Sequence, residues 1–169
     1  MDFYLERLQK AIASATDGMS EEALNWHPAG KWSTAEILEH LYLTYTGTTK
    51  GFERCLQSGK HLARLVTPQD RWRTWVVVGL GYLPEGRKAP KNTVPGGLPL
   101  PRVRTEIAAK IARMDAIIAS AEERYGSQTR LLDHPILGPL RGCEWRRFHW
   151  VHGQHHLGQI RTLRGKFAG

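Results

Sequence analysis

Residues 143–166 set apolar side chains along one helical face, and two histidines stand in the middle of that face. On a wheel of about 100° per residue, with His152 at zero, His156 falls about 40° to one side and Gln159 about 20° to the other. Trp145, Phe148 and Leu163 lie within about 40° of the same line. A helix with such a stripe turns it towards a core. A polar group buried there without a partner costs about 1–3 kcal/mol. Two arrangements offset that cost. One is a hydrogen-bonded pair of core imidazoles. The other is a pair spaced four residues apart that grips one metal ion from the same side. His149 and His155 lie about 60° to either flank. They read as supports of such a site or as surface residues, not as ligands, and Gln159 reads as a contact for a bound water or substrate.

Three more helices can be read by the same periodicity. Residues 2–17 carry Phe3, Leu5, Leu8, Ile12 and Ala15 at helical spacing, and Gly18 ends the run. Ser33 or Thr34 starts a helix reaching about Ser58, with Glu36 placed to complete a capping box. Residues 102–125 carry Val103, Ile107, Ile111, Met114 and Ile118 on one stripe and stop at Gly126. Between them, residues 71–83 fit a short helix or a packed extended segment. Residues 84–101, with four prolines after Pro84, read as a long loop of the kind that is usually functional or crossing. Residues 127–142, with His134-Pro135 and Gly138-Pro139, read as another loop. Four long helices and no strand pattern predict an all-α chain, a four-helix bundle, forming one domain over residues 1–169.

Composition narrows the function classes. The chain has 169 residues, enough to bury a core without staples. Its 41% hydrophobic and 24% charged residues are those of an ordinary globular protein. No apolar run approaches the ~20 residues of a membrane span, and the N-terminus lacks a secretory pattern. The expectation is a cytoplasmic protein without a membrane partner. The net charge of +8 is scattered, densest at residues 64–73, 87–91, 102–113 and 141–164, with no nucleic-acid motif. Nucleic acid is therefore disfavoured. Cys55 and Cys143 form no CxxC pair and read as plain thiols, although sequence leaves a single disulfide open.

A third ligand has to come from another helix. His40 lies at the edge of the face made by Ile37, Leu41, Thr48 and Phe52, with Glu36 one turn before it and Thr44 one turn after. By itself it reads as a half-exposed helix histidine. His27, His61 and His134 read as structural or surface residues.

The stretch WHPAGKWSTAEILEHL, residues 26–41, resembles the first signature of the DinB-like superfamily, a tryptophan-serine helix start followed by a histidine-leucine pair. The stretch HGQHHLGQI, residues 152–160, is similar to its second signature. The segment 134–140, with Glu144, Trp145 and the His155-His156 pair, resembles a branch of that superfamily known only as a domain of unknown function. The likeness spans about residues 2–165. It implies a four-helix bundle with a long crossover between the second and third long helices. It also implies a divalent metal (zinc, nickel or iron) on His40, His152 and His156.

Characterised members of the superfamily include thiol-dependent transferases and isomerases, and homodimers are common among them. The resemblance thus points to a metal-dependent transferase or hydrolase with a small-molecule substrate, a low-molecular-weight thiol among the candidates. A non-catalytic metal-binding or stress-related module is the alternative. Glu36 and His149 stand as helpers near the metal. Arg146, Arg147, Arg161 and Arg164 are cations that either attract a substrate carboxylate or form plain solvated surface.

Overall fold

A computed structural model describes residues 1–84 and 88–168. Among these residues helices dominate, as the all-α expectation requires, and one two-stranded sheet is added to them. Helix α1, Phe3–Thr16, is capped by the Asp2 carboxylate, which accepts the Tyr4 N–H at 2.9 Å. It buries Leu5, Leu8, Ile12 and Ala15 of the predicted stripe, whereas Phe3 at its first position is exposed. A short α2, Glu21–Asn25, follows in the connector.

Helix α3, Thr34–Gln57, starts on the predicted capping box. The Ser33 hydroxyl accepts the Glu36 N–H at 3.2 Å, and Glu36 Oε2 accepts the Ser33 N–H at 2.8 Å. Helix α4, Pro68–Thr74, begins on a second box between Thr67 and Asp70 and runs into a π-helical turn, Trp75–Gly79. So residues 71–83 resolve as helix over much of their length. The expected 84–101 loop holds one 3₁₀ turn, Lys91–Thr93. Residues 85–87 of that loop, and with them part of the basic stretch 87–91, lie outside the described residues.

Helix α5, Leu100–Tyr125, starts two residues before the predicted position because Pro101 fits a first helical turn, where no N–H is needed. Residues 127–142 correct the sequence reading. They contain strand β1, Arg130–His134, paired antiparallel with β2, Gly138–Arg141. His134 closes the turn between them, its Nδ1 accepting the N–H groups of Ile136 and Leu137 at 3.1 and 3.2 Å.

Helix α6, Gly142–Ala168, starts on a glycine expected in the loop. A Cβ at Gly142 would stand 2.3 Å from Glu122 Oε1, so the Glu122 side chain of α5 occupies the space that a side chain at 142 would need. Gly153 acts likewise at the middle of α6, where a Cβ would meet Leu8 of α1 at 2.3 Å.

Packing is uneven. Helix α3 lies most extensively on α5 and α1 on α6, whereas α3 and α6 meet over a much shorter stretch. The core draws Leu8, Leu41, Phe52, Ile111, Leu140 and Ile160 from these elements into one cluster. Buried among them, Arg146 donates from Nε to Asp115 at 2.6 Å and from Nη1 to Glu122 at 2.7 Å. Both cysteines are free, Cys55 buried and Cys143 exposed. No helix among the described residues is long and apolar enough to cross a membrane.

The α5–α6 contact gives a test. Asp115→Ala removes one of two carboxylates on a buried guanidinium. Its expected cost in a denaturant titration is about 3 kcal/mol. That is the low end of the ~3–5 for breaking a buried pair, because Glu122 stays on the arginine.

Candidate metal centre

His40 from α3 and His152 and His156 from α6 come together where those two helices part. His152 Nε2 lies 3.2 Å from His40 Nε2 and 3.1 Å from His156 Nε2. One nitrogen from each ring falls within 4.8 Å of the others. His40 is not half-exposed, as its sequence position alone suggests, but 4% exposed. Trp32 covers it with its ring centroid 5.1 Å away, and the Phe148 ring stacks on His152 at 5.5 Å.

The outer nitrogens decide what the inner ones offer. His40 Nδ1 faces the Thr93 carbonyl at 2.7 Å, and His156 Nδ1 faces Gln159 Oε1 at 2.8 Å. Both partners only accept, so both Nδ1 atoms carry the proton and both Nε2 lone pairs point inward. Burial lowers the pKa of all three rings, that of His156 to about 3. They are therefore neutral at pH 7 and their lone pairs are free to coordinate.

The three imidazoles alone do not satisfy one another. A proton on His152 Nε2 would face two lone pairs and serve only one well. It would also leave His152 Nδ1, which is buried without a partner, as an unmatched acceptor. A proton on Nδ1 instead leaves three lone pairs converging. A divalent cation resolves the inner conflict. Tetrahedral bonds of ~2.0–2.1 Å put neighbouring nitrogens about 3.3 Å apart, close to the separations here. The donor set therefore fits such an ion.

The neighbours revise several sequence expectations. Gln159 lines the cavity, its Oε1 facing His156 and its amide donating to His155 at 3.2 Å. Glu36 is occupied by its capping box. His149 is not a surface residue. It is fully buried, with its ring stacked on Trp145 and Nε2 3.1 Å from the Thr48 hydroxyl. His134 is structural, as expected, in closing the hairpin. His27 and His61 are exposed.

Arg146 is held in the core by Asp115 and Glu122, and Arg147 donates to the Gly79 carbonyl at 2.9 Å. Arg161 and Arg164 are exposed away from the histidines' cavity. Two contributors escaped sequence reasoning. One is Thr93, whose main-chain carbonyl carries no side-chain signature. The other is Glu39, 4% exposed, whose carboxylate accepts the N–H groups of Gly96 and Gly97 at 2.7 and 3.0 Å. Neither carries a local signal in the sequence, since Glu39 and Gly96 stand 57 residues apart.

The histidines open onto a cavity of about 1360 Å³, bounded by α3, α6, the hairpin and the segment running through α4 to Val94. That exceeds the ~300–1,000 Å³ of ordinary small-molecule sites.

A family model described as "Protein of unknown function (DUF1569)" matches residues 1–162, and the chain belongs to that family. It is also similar to "Uncharacterized protein YuaE" of Bacillus subtilis (strain 168), with 27% identity over 156 residues covering 88% of each chain. No solved structure matches.

Burial of imidazoles away from the triad makes stability pH-dependent. Desolvation lowers His149 to about 3 and His134 to about 4, against an ordinary value of 6.5. Below that ordinary value the unfolded chain binds protons that the folded chain refuses. The contribution is complete above about pH 6.5 and is lost as pH falls towards the folded values. The denaturant midpoint should fall between those limits, and His149→Met should reduce the slope. A slope unchanged by that substitution would contradict neutral burial of His149.

Proposed function

We propose that this member of the DUF1569 family is a metal-dependent enzyme, with a zinc, nickel or iron ion held by His40, His152 and His156 in a DinB-like four-helix frame. The observation that carries this reading is the convergence of three Nε2 atoms on the wall of a cavity large enough for a substrate. Three neutral protein ligands suit a catalytic site with an open coordination position, whereas a structural zinc is usually closed by four. When bound, such an ion supplies Lewis acidity to a sulfur or oxygen donor of the substrate. The chain's own part is to fix the rings. The Thr93 carbonyl holds the His40 proton on Nδ1, Gln159 does the same for His156, and Phe148 and Trp32 shield the histidines from water.

Of the two reaction classes, a thiol-dependent transfer fits better than hydrolysis. Glu36 is spent on its cap, and Asp133, the one carboxylate lining the cavity among the described residues, is engaged by the Arg64 N–H at 3.3 Å. A hydrolase wants a free general base near its water. A thiol deprotonated on a metal brings its own nucleophile.

Metal analysis of protein purified without a nickel column should find close to one divalent ion per chain, lost in His40→Ala and His152→Ala. Unchanged metal content in those variants would end the three-histidine reading. Glu39→Ala touches no ligand but frees the segment that carries Thr93. It should weaken metal affinity about tenfold or more, as loss of a ligand's orienting partner does. Low-molecular-weight thiols should raise the melting temperature only of the metal-loaded form. Equal stabilisation without metal would remove the thiol from the mechanism.

A further inference from the structure

The cavity is not uniform. The arm of the cavity along α3 is lined by Thr44, Gly47, Thr48, Gly51 and Arg54, with Leu132 packed against Gly51. The fourteen helical steps from His40 to Arg54 span about 21 Å at ~1.5 Å each. The facing walls are Trp145 and Phe148 of α6, Leu132 and Leu137 of the hairpin segment, and Val76 and Val77 of the π turn.

Several polar atoms of this arm are already engaged within the protein. The Thr44 hydroxyl donates to the His40 carbonyl at 2.8 Å, and Thr48 pairs with His149. Trp145 Nε1 donates to the Leu132 carbonyl at 3.3 Å, and His134 Nδ1 is taken by two backbone N–H groups. The walls therefore offer a ligand mostly carbon.

Charge is distributed differently. The charged lining residues are Lys31, Arg54, Arg73, Lys88 and Lys166 against Asp133 alone, which is already engaged by Arg64. Among the described residues Arg54 makes no ion pair, and Arg73 reaches only the Ile136 carbonyl at 3.4 Å. Both stand at the hairpin end of the arm. A low-dielectric cleft rimmed by one sign of charge concentrates ligands of the other sign.

We infer that the substrate is an amphiphilic anion whose apolar body fills the arm between α3, α6 and the hairpin and whose anionic group meets Arg54 and Arg73. The inference rests on the proposed metal centre only for which end of the molecule reacts. Binding of body and head group depends on the arm itself.

Calorimetry on the full chain, metal-stripped and zinc-loaded, tests it with decanoate, decanol and decyltrimethylammonium, which share one tail. Decanoate should bind both forms at least about tenfold more tightly than either of the others, the scale of a charge-assisted contact. Arg54→Gln with Arg73→Gln should erase that preference and leave decanol binding unchanged. Gly47→Phe should abolish binding of all three. A Cβ at Gly47 meets nothing within 4 Å, so the ring can enter the arm without displacing a neighbour, and a thermal melt confirms that the variant is folded.

Equal affinity for the three probes, full decanoate affinity in the double arginine variant, or full affinity in a folded Gly47→Phe would each overturn the inference. Failure of the metal reading shows differently: zinc is not retained while the decanoate preference persists.

Discussion

The hydrogen bond from His40 Nδ1 to the Thr93 carbonyl joins a helix to a crossover, and the candidate site depends on that joint. It sets the tautomer of His40 and so decides that a lone pair, not a proton, points at His152. A carbonyl in a proline-rich segment would be a poor anchor if the segment drifted. Glu39 prevents this by binding the backbone of Gly96 and Gly97 from the next position on α3. Two adjacent residues of one helix thus divide the work. One projects a ligand nitrogen, and the other fixes the chain that orients it. The two backbone N–H groups supply the hydrogen bonds that a buried carboxylate would otherwise lack.

The gap that houses the histidines follows from close packing elsewhere. Gly153 lets Leu8 lie against the α6 backbone, and Gly142 leaves room for the Glu122 side chain of α5. With α1 held to α6 and α3 held to α5, the α3–α6 contact is among the slighter ones. A polar cluster there displaces little apolar packing. At the opposite pole, Glu144 accepts from Arg130 and Arg141, two like charges directly paired across the hairpin, and from the Arg141 N–H that precedes α6. That one carboxylate relieves a repulsion and ties the hairpin to the helix carrying two of the three histidines.

Legibility in the sequence tracked how local each cause is. The capping box of Ser33 and Glu36 lies within four residues and was readable in full, as were the stripes of α3 and α5 and, Phe3 apart, that of α1. The His152–His156 pair was readable as a shared face because helical geometry fixes it, but its two outcomes, core pair or ligand pair, were not separable without knowing what lies opposite. The α3 wheel put His40 at the edge of an apolar face. Its burial comes from Trp32 and the crossover, neither of which is periodic. The hairpin was missed because its strands are short and its turn signals, His134-Pro135 and Gly138-Pro139, outweigh Leu131, Leu132 and Leu140. Arg146 lies one residue beyond the core-facing tryptophan and looks like a surface cation. Only the distant carboxylates Asp115 and Glu122 make its burial tolerable.

Gln159 is a better partner for His156 than a carboxylate would be. An ionised Glu there would accept the Nδ1 proton more strongly and make the imidazole a stronger donor to a cation. It would also add negative charge beside a cavity whose rim is cationic, weakening the attraction of an anionic ligand. Glutamine keeps the orientation without the charge. Its amide nitrogen, turned to His155, fixes which end of the group faces His156. His155 thereby contributes without coordinating, by ensuring that an oxygen, not an NH₂, meets the His156 proton. Neutral imidazoles with a neutral orienting amide would leave the full charge of the proposed divalent ion to act on what enters the cavity.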